Sequence, residues 1–280
     1  MKSKVLSIIV VYNPDINLLL TNIKSFVEDI DLLIVWENTI LSNKQREVIK
    51  QISPTKIIFH NEKENKGISY PLNYAWKYAQ QHNFNYLLTM DQDSIWEDFD
   101  SYLNCCLEKI SNEEAILGPS LSSNPHNKSQ LFTHTEYVIT SGCFVPISIL
   151  NKIGGYETNF FVDGIDIELC CRARMFKYNI YNVNNCRLIQ RFGNPQIINI
   201  LGFKYTTLNY SAQRLYNILY SHFIIMRKYK DKLLFKQVFT QYLLKTPIKI
   251  ILGEKNKWNK LKAIYKGVWK GLNTPINDKL

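Results

Sequence analysis

Over the first hundred residues, short β-branched runs alternate with stretches of helical periodicity. Val5–Val11 reads as a buried strand from its density of Ile and Val. Pro14 and Asp15 then open an amphipathic helix whose apolar positions are Ile16, Leu19, Leu20, Ile23 and Phe26. Leu32–Trp36 reads as a second strand, and Ser42 with Gln45 makes a capping box for a helix reaching about Ile52. Lys56–Phe59 is a third strand. The polar loop His60–Lys66 leads to Gly67 and a helix through about Gln81. A fourth strand, Tyr86–Met90, runs straight into Asp91-Gln92-Asp93.

Strands and helices alternating over such short links predict an α/β fold, a mainly parallel sheet covered by helices on both faces. Ligands of such sheets bind outside the carboxyl ends of the strands. Three of those ends carry polar residues here: Tyr12-Asn13, Glu37-Asn38 and Asp91-Gln92-Asp93. From 115 to 205 the pattern is mixed, with strand-like runs, read as antiparallel, between Thr/Ser/Asn-rich loops. From about 206 it turns helical, so the chain divides into a catalytic domain at 1–205 and a helical region at 206–280. No internal repeat or low-complexity tract is evident.

Charge sharpens this division. The net charge is +10, yet residues 221–280 hold 14 Lys and Arg against 3 Asp and Glu, so the whole excess lies at the C-terminal end. The six cysteines include two adjacent pairs, Cys105-Cys106 and Cys170-Cys171, which form neither a metal pattern nor a secreted disulfide framework. Reduced core thiols in a cytoplasmic protein are expected. The apolar run at the N-terminus is closed by charge and Pro14 too early for a signal peptide. No stretch reaches the roughly 18 apolar residues of a membrane span.

Candidate chemistry sits in three places. Asp91 and Asp93, one residue apart at a strand end, are hard oxygen ligands suited to Mg²⁺ or Mn²⁺, though an acidic turn capping the next helix would look the same. Asp163, Asp166 and Glu168 lie among aromatic and aliphatic residues after Gly154-Gly155-Tyr156. A carboxylate there suits a general base, while pairing with Arg172 and Arg174 is the structural alternative. Gly67, after Asn65-Lys66 and six residues before Asn73, opens a helix whose N-terminus favours anions.

Taken in order, these motifs resemble the inverting, nucleotide-sugar-dependent glycosyltransferases of family two with the GT-A fold, and among them the bacterial rhamnosyltransferase-type branch. The residues carrying the resemblance are Val-Val-Tyr-Asn-Pro ending the first strand, Glu37-Asn38, Asn65-Lys66-Gly67 with Asn73, Met90 to Ser94, Thr140-Ser141-Gly142, and Gly154 to Arg172, spread over about residues 5–193. The resemblance implies that Tyr12, Asn13, Glu37, Asn65, Gly67, Asn73 and Asp91 bind the donor, with Glu37 where the family has a base-reading Asp. It places Asp91 and Asp93 on a Mn²⁺ or Mg²⁺ ion and Asp166 as catalytic base. Asp163, Ser141, Gly142 and Arg172 complete the site on the acceptor side. Late in the domain the family has His-x-x-Gly. Here the stretch is Gln190-Arg191-Phe192-Gly193, so Gln190 would stand on the metal side with a weaker, neutral oxygen.

The implied function is transfer of a sugar, with rhamnose favoured by the branch, from a nucleotide diphosphate donor to a glycan or lipid-linked acceptor in cell-surface polysaccharide synthesis. The loops at 120–136 and 190–205 are expected to set sugar and acceptor. The Lys-rich helices with Trp258, Tyr265 and Trp269 suit an anionic membrane surface. That places the protein peripherally at the inner face of the plasma membrane. Nucleic acid is excluded as a partner for want of any recognition motif, and self-association is left open. The alternative is a non-catalytic relative that binds nucleotide or glycan.

Overall fold

The computed structural model describes residues 3–121, 130–190, 193, 195–200 and 203–276. The chain forms two compact units, one of Met1–Phe161 with Ile165–Arg191 and the other of Val162–Gly164 with Phe192–Leu280.

The first unit is the α/β fold read from the sequence. Its strands are β1 (Val5–Val11), β2 (Leu32–Glu37), β3 (Ile57–His60), β4 (Tyr86–Met90), β5 (Ile95–Trp96), β6 (Ala115–Pro119), β7 (Phe132–His134), β8 (Cys143–Pro146), β9 (Asn179–Val183) and β10 (Leu188–Ile189). Its α-helices are α1 (Ile16–Lys24), α2 (Asn43–Ile52), α3 (Ser69–Gln81), α4 (Phe99–Asn112), α5 (Ile147–Ile153) and α6 (Ile165–Met175). Eight strands make one sheet in the order β3-β2-β1-β4-β8-β6-β9-β7. The first four are parallel; β8 runs antiparallel to both β4 and β6, and β7 antiparallel to β9.

Strand alternation sorts the core. Val5, Ile9 and Val11 of β1, Leu33 and Val35 of β2 and Leu88 of β4 share one apolar cluster with Leu19 and Ile23 of α1, Ile49 of α2 and Tyr102 of α4. On the other face α3 packs against β1 and β4, burying Leu72, Ala75 and Ala79. Each fully buried Leu or Ile contributes about 1.5–3 kcal/mol. Local signals start the helices: Asp15 caps α1, and the Ser42–Gln45 capping box opens α2 as the sequence predicts. Because β2 and β4 flank β1 on opposite sides, the chain reverses direction of winding between β1 and β4. Doubly wound sheets bind ligands at such a point, and here Tyr12-Asn13 and Asp91–Asp93 emerge beside it.

The second unit comprises β11 (Gln196–Ile200) and β12 (Phe203–Thr207), an antiparallel pair, followed by α7 (Ala212–Tyr229), α8 (Lys232–Gln237), a π-helix (Val238–Lys245), α9 (Thr246–Gly253) and α10 (Lys257–Asn273). The β11–β12 pair therefore joins the helices rather than the sheet. α10 crosses α7 closely: a Cβ on Gly267 would lie 2.7 Å from the Tyr216 carbonyl, and one on Gly271 2.7 Å from Cβ of Phe223. Among the described residues no helix is long and apolar enough to cross a membrane.

Candidate active site

Four residues at the end of β4 and beyond close a polar ring. Gln190 Nε2 donates to Asp91 Oδ2 at 2.8 Å, and Ser94 Oγ donates to Gln190 Oε1. Ser141 Oγ in turn donates to Ser94 Oγ at 2.7 Å and accepts from the Asp91 backbone N–H at 3.2 Å. Ser94 and Ser141 are buried, so the ring satisfies groups that would otherwise be costly to desolvate. The orientation of the Gln190 amide follows from chemistry, since an ionised carboxylate accepts only. Its oxygen, expected on the metal side, is bonded to Ser94 instead.

The neighbouring residue carries the second acid. Thr140 O accepts from Thr89 Oγ1 at 2.5 Å, fixing the Thr140–Ser141 segment against β4. The Ile167 N–H donates to Asp166 Oδ1 at 2.9 Å, and the backbone N–H groups of Asp166 itself and of Thr140 face the same carboxylate. Consecutive Cα atoms are about 3.8 Å apart, so Asp91 and Asp166 converge on two adjacent residues although 75 positions separate them. Burial pushes the Asp166 carboxyl above its ordinary value, and these N–H groups pull it back in part. It borders a small cavity of ≈ 10 Å³ walled by Val138, Tyr156, Leu169 and Cys170. A half-buried acid with apolar walls and an elevated pKa can take a proton near neutral pH.

The remaining residues singled out in the sequence divide into those near this crevice and those occupied elsewhere. Gln92 ties the two strand ends, accepting from the Tyr12 N–H at 2.8 Å and donating to Tyr12 O at 3.2 Å. Asn13 meets Thr39, and Asn22 Nδ2 donates to Asp91 O at 2.6 Å. Asn38 joins the second strand end to the Asn65–Gly67 turn: it donates to Gly67 O at 2.7 Å and accepts from Lys66 N at 3.0 Å. Asn65 Oδ1 accepts from Gly67 N at 2.9 Å. Gly142 donates its N–H to Thr89 O at 2.8 Å and accepts from Tyr102 at 2.5 Å.

Glu37 is 1 % exposed, and its carboxylate accepts from Arg46 through two guanidinium nitrogens, from Asn61 Nδ2 at 3.0 Å and from Leu41 N at 3.3 Å. So enclosed, it braces β2 against α2 and is not open to a base. Asn73 is likewise spent on the Tyr156 backbone, donating to its carbonyl at 2.9 Å and accepting from its N–H at 2.8 Å. Arg172 donates to Ile153 O at 2.7 Å, Gly155 O at 2.8 Å and Glu168 Oε2 at 2.7 Å, which is the structural pairing. Asp163 belongs to the second unit, where Arg214 Nε lies 3.5 Å from its Oδ1. Residues 122–129 of the first expected specificity loop, and 191, 192, 194, 201 and 202 of the second, lie outside the described residues. Sequence reasoning places Gln92 and Asn38 at the strand ends without a role and misses Asn22, because the partners of all three are distant in the chain.

Two carboxylates one residue apart fit a hard divalent cation, which fills most of its shell with phosphate and water. Among the described residues no group of three or more His, Cys, Asp and Glu side chains could hold a metal ion by itself.

No family model matches the chain. A dTDP-rhamnosyl transferase of Shigella flexneri, RfbF, is 23% identical over 282 residues, covering 92% of this chain and 91% of that protein. The fold is similar to that of a mannosyltransferase from Pyrobaculum calidifontis in complex with GDP-Man and Mn²⁺, with a TM-score of 0.56, 13% identity, and coverage of 98% of this chain and 71% of that one. It is similar also to S. aureus TarS 1–349 in complex with UDP-GlcNAc, with a TM-score of 0.56, 12% identity, and coverage of 95% and 81%. At these identities the solved structures establish the mixed α/β fold that the chain shares with them.

Proposed function

We propose that this chain is a glycosyltransferase that moves a sugar from a nucleoside diphosphate donor to an acceptor hydroxyl with inversion at the anomeric carbon. The observation that carries this reading is the convergence of Asp91 and Asp166 on Thr140 and Ser141. The relative's name favours rhamnose on a dTDP donor. Asp166 takes the acceptor's hydroxyl proton as its oxygen bonds to the anomeric carbon. The bond from that carbon to the diphosphate breaks, and the electron pair leaves with the diphosphate. Mn²⁺ or Mg²⁺ held by Asp91 and Asp93 would supply Lewis-acid neutralisation of that leaving group, in keeping with the Mn²⁺ bound to the similar mannosyltransferase. The ring through Gln190, Ser94 and Ser141 orients Asp91, and the N–H groups around Asp166 hold its carboxylate ready.

A donor screen with Mn²⁺ or Mg²⁺ tests the reading. Transfer or donor hydrolysis should appear with a nucleoside diphosphate sugar and fall at least ~100-fold in Asp93→Ala and in Asp166→Asn, the lower range for loss of a general base. Unchanged turnover in both variants refutes it. The bonding of the Gln190 oxygen to Ser94 motivates a second reading, a relative that binds nucleotide without turnover. Product in the screen removes it.

The C-terminal unit supports attachment to an anionic cytoplasmic leaflet, where a lipid-linked acceptor would lie. On α10, Trp258 is 84 % exposed and Trp269 57 %, with Tyr265 between them on the face away from α7. Lys262, Lys266 and Lys270 are interleaved with them. Each lysine near acidic lipid is worth about 1 kcal/mol. Phosphatidylserine vesicles should pellet the full chain and not its Trp258→Ser, Tyr265→Ser, Trp269→Ser variant. Equal pelleting would end this part of the proposal.

A further inference from the structure

The second unit holds a pocket of ≈ 220 Å³ with a buried ion pair beside its base, smaller than the about 300–1,000 Å³ usual for sites of drug-sized ligands and so suited to a single small unit. Glu254, 4 % exposed, accepts from Thr207 Oγ1 on one carboxylate oxygen and from Lys260 Nζ on the other, the latter at 2.6 Å. Lys260 also donates to Asn209 Oδ1 at 2.6 Å. Such a pair stabilises little once its desolvation is counted, and apolar residues would fill the space more cheaply. What it provides is a polar floor. Above it stand Asn209, Gln241, Lys249 and the rings of Tyr210 and Tyr242. Gln241 and Tyr242 come from the π-helix, a geometry that recurs at functional sites. Arg214 lies over the Tyr210 ring at 4.6 Å and pairs with Asp163, fixing that wall.

Charge and polarity narrow the occupant. An anion would meet the Glu254 carboxylate, and a cation would meet the Lys249 ammonium. A purely apolar ligand would strand the amides of Asn209 and Gln241 away from water. A neutral polyol with one C–H face satisfies every wall: hydroxyls reach the amides and the spare lone pairs of Glu254, and the C–H face lies on a tyrosine. We infer that this pocket binds a neutral pyranose unit, and, resting on the glycosyltransferase reading, that the unit belongs to the acceptor.

The experiment is saturation-transfer NMR on the full chain with a panel of methyl pyranosides, run beside calorimetry of nucleoside diphosphates with Mn²⁺. At least one pyranoside should bind, and Gln241→Ala and Tyr210→Ala should each weaken it at least tenfold. Nucleotide affinity should stay within twofold of the parent, which also shows that the variants fold. The inference is overturned if no pyranoside binds, or if binding is indifferent to both substitutions, or if inorganic phosphate competes at the same residues. Loss of pyranoside binding with intact nucleotide binding and donor hydrolysis would remove the pocket alone. Absence of nucleotide binding as well would remove the glycosyltransferase reading with it.

Discussion

Replacing Arg172 by Met should be among the most damaging single changes in the first unit. The guanidinium holds the carbonyls of Ile153 and Gly155, on either side of the left-handed Gly154, to Glu168 one turn back on α6. Glu168 is 1 % exposed, so in the variant a buried carboxylate loses its cation. Removing one partner of a buried pair costs about 3–5 kcal/mol, and the two carbonyls add about 1 kcal/mol each. The sum, about 5–7 kcal/mol, rivals the whole stability of many domains, about 5–15 kcal/mol. At about 2–4 °C per kcal/mol, Tm should fall by about 10–28 °C in scanning calorimetry. The double variant Arg172→Met, Glu168→Met buries no charge and should recover roughly half of that loss. An Arg172→Met protein melting within 3 °C of the parent would refute the argument, as would a double variant less stable than the single one. Lost turnover at unchanged Tm would move Arg172 to the substrate, where the family resemblance puts it.

Asp166→Asn should abolish transfer yet melt higher than the parent at pH 7. The folded carboxyl titrates above the ordinary 3.8, so the parent loses stability as pH rises through that interval, and the difference should vanish below pH 3.8. A variant less stable at pH 7 would contradict this. His222 shows the opposite leg. Burial lowers its pKa from 6.5 to about 4, so the folded state resists a proton that the unfolded chain accepts. Stability should fall as pH drops from 6.5 to 4, by about 3 kcal/mol at the low end. His222→Met should flatten that slope in urea titrations, and an unchanged slope would assign it elsewhere. Gly67→Ala should cost at least ~2 kcal/mol, because φ is +70° and the new Cβ would lie 2.1 Å from Phe161 O. An unchanged Tm would disprove the close approach.

The parallel half of the sheet was legible because its signals are local. Val5–Val11 and Tyr86–Met90 have the observed bounds, and the Ser42–Gln45 box needs only four residues to recognise. The rest depends on distant pairing. That β6 lies between β8 and β9, with β7 outside them, follows from contacts no window of sequence contains. The enclosure of Glu37 also has a local signal. Leu33 and Val35 point to the α1–α2 face, and strand parity puts Glu37 on that face too, where an acid needs a partner such as Arg46. The division at 205 placed β11 and β12 with the sheet because their alternation is strand-like, and nothing local says which body a hairpin joins.

Gln190 shows how a departure from a family pattern can be read physically. In the ring it donates to Asp91 and accepts from Ser94, two roles a neutral imidazole could also fill with one N–H and one lone pair. The difference lies in titration. An imidazole at that position would gain a proton near pH 6.5 and place a cation against Asp91, weakening its hold on a divalent ion. An amide keeps the same hydrogen bonds at every pH between 5 and 8. The acid limb of the rate profile should therefore come from Asp166, and Gln190→His should add a second limb near 6.5. A profile unaltered by that substitution would mean that Asp91 does not feel residue 190, and the ring would then be a structural closure of the β4 end.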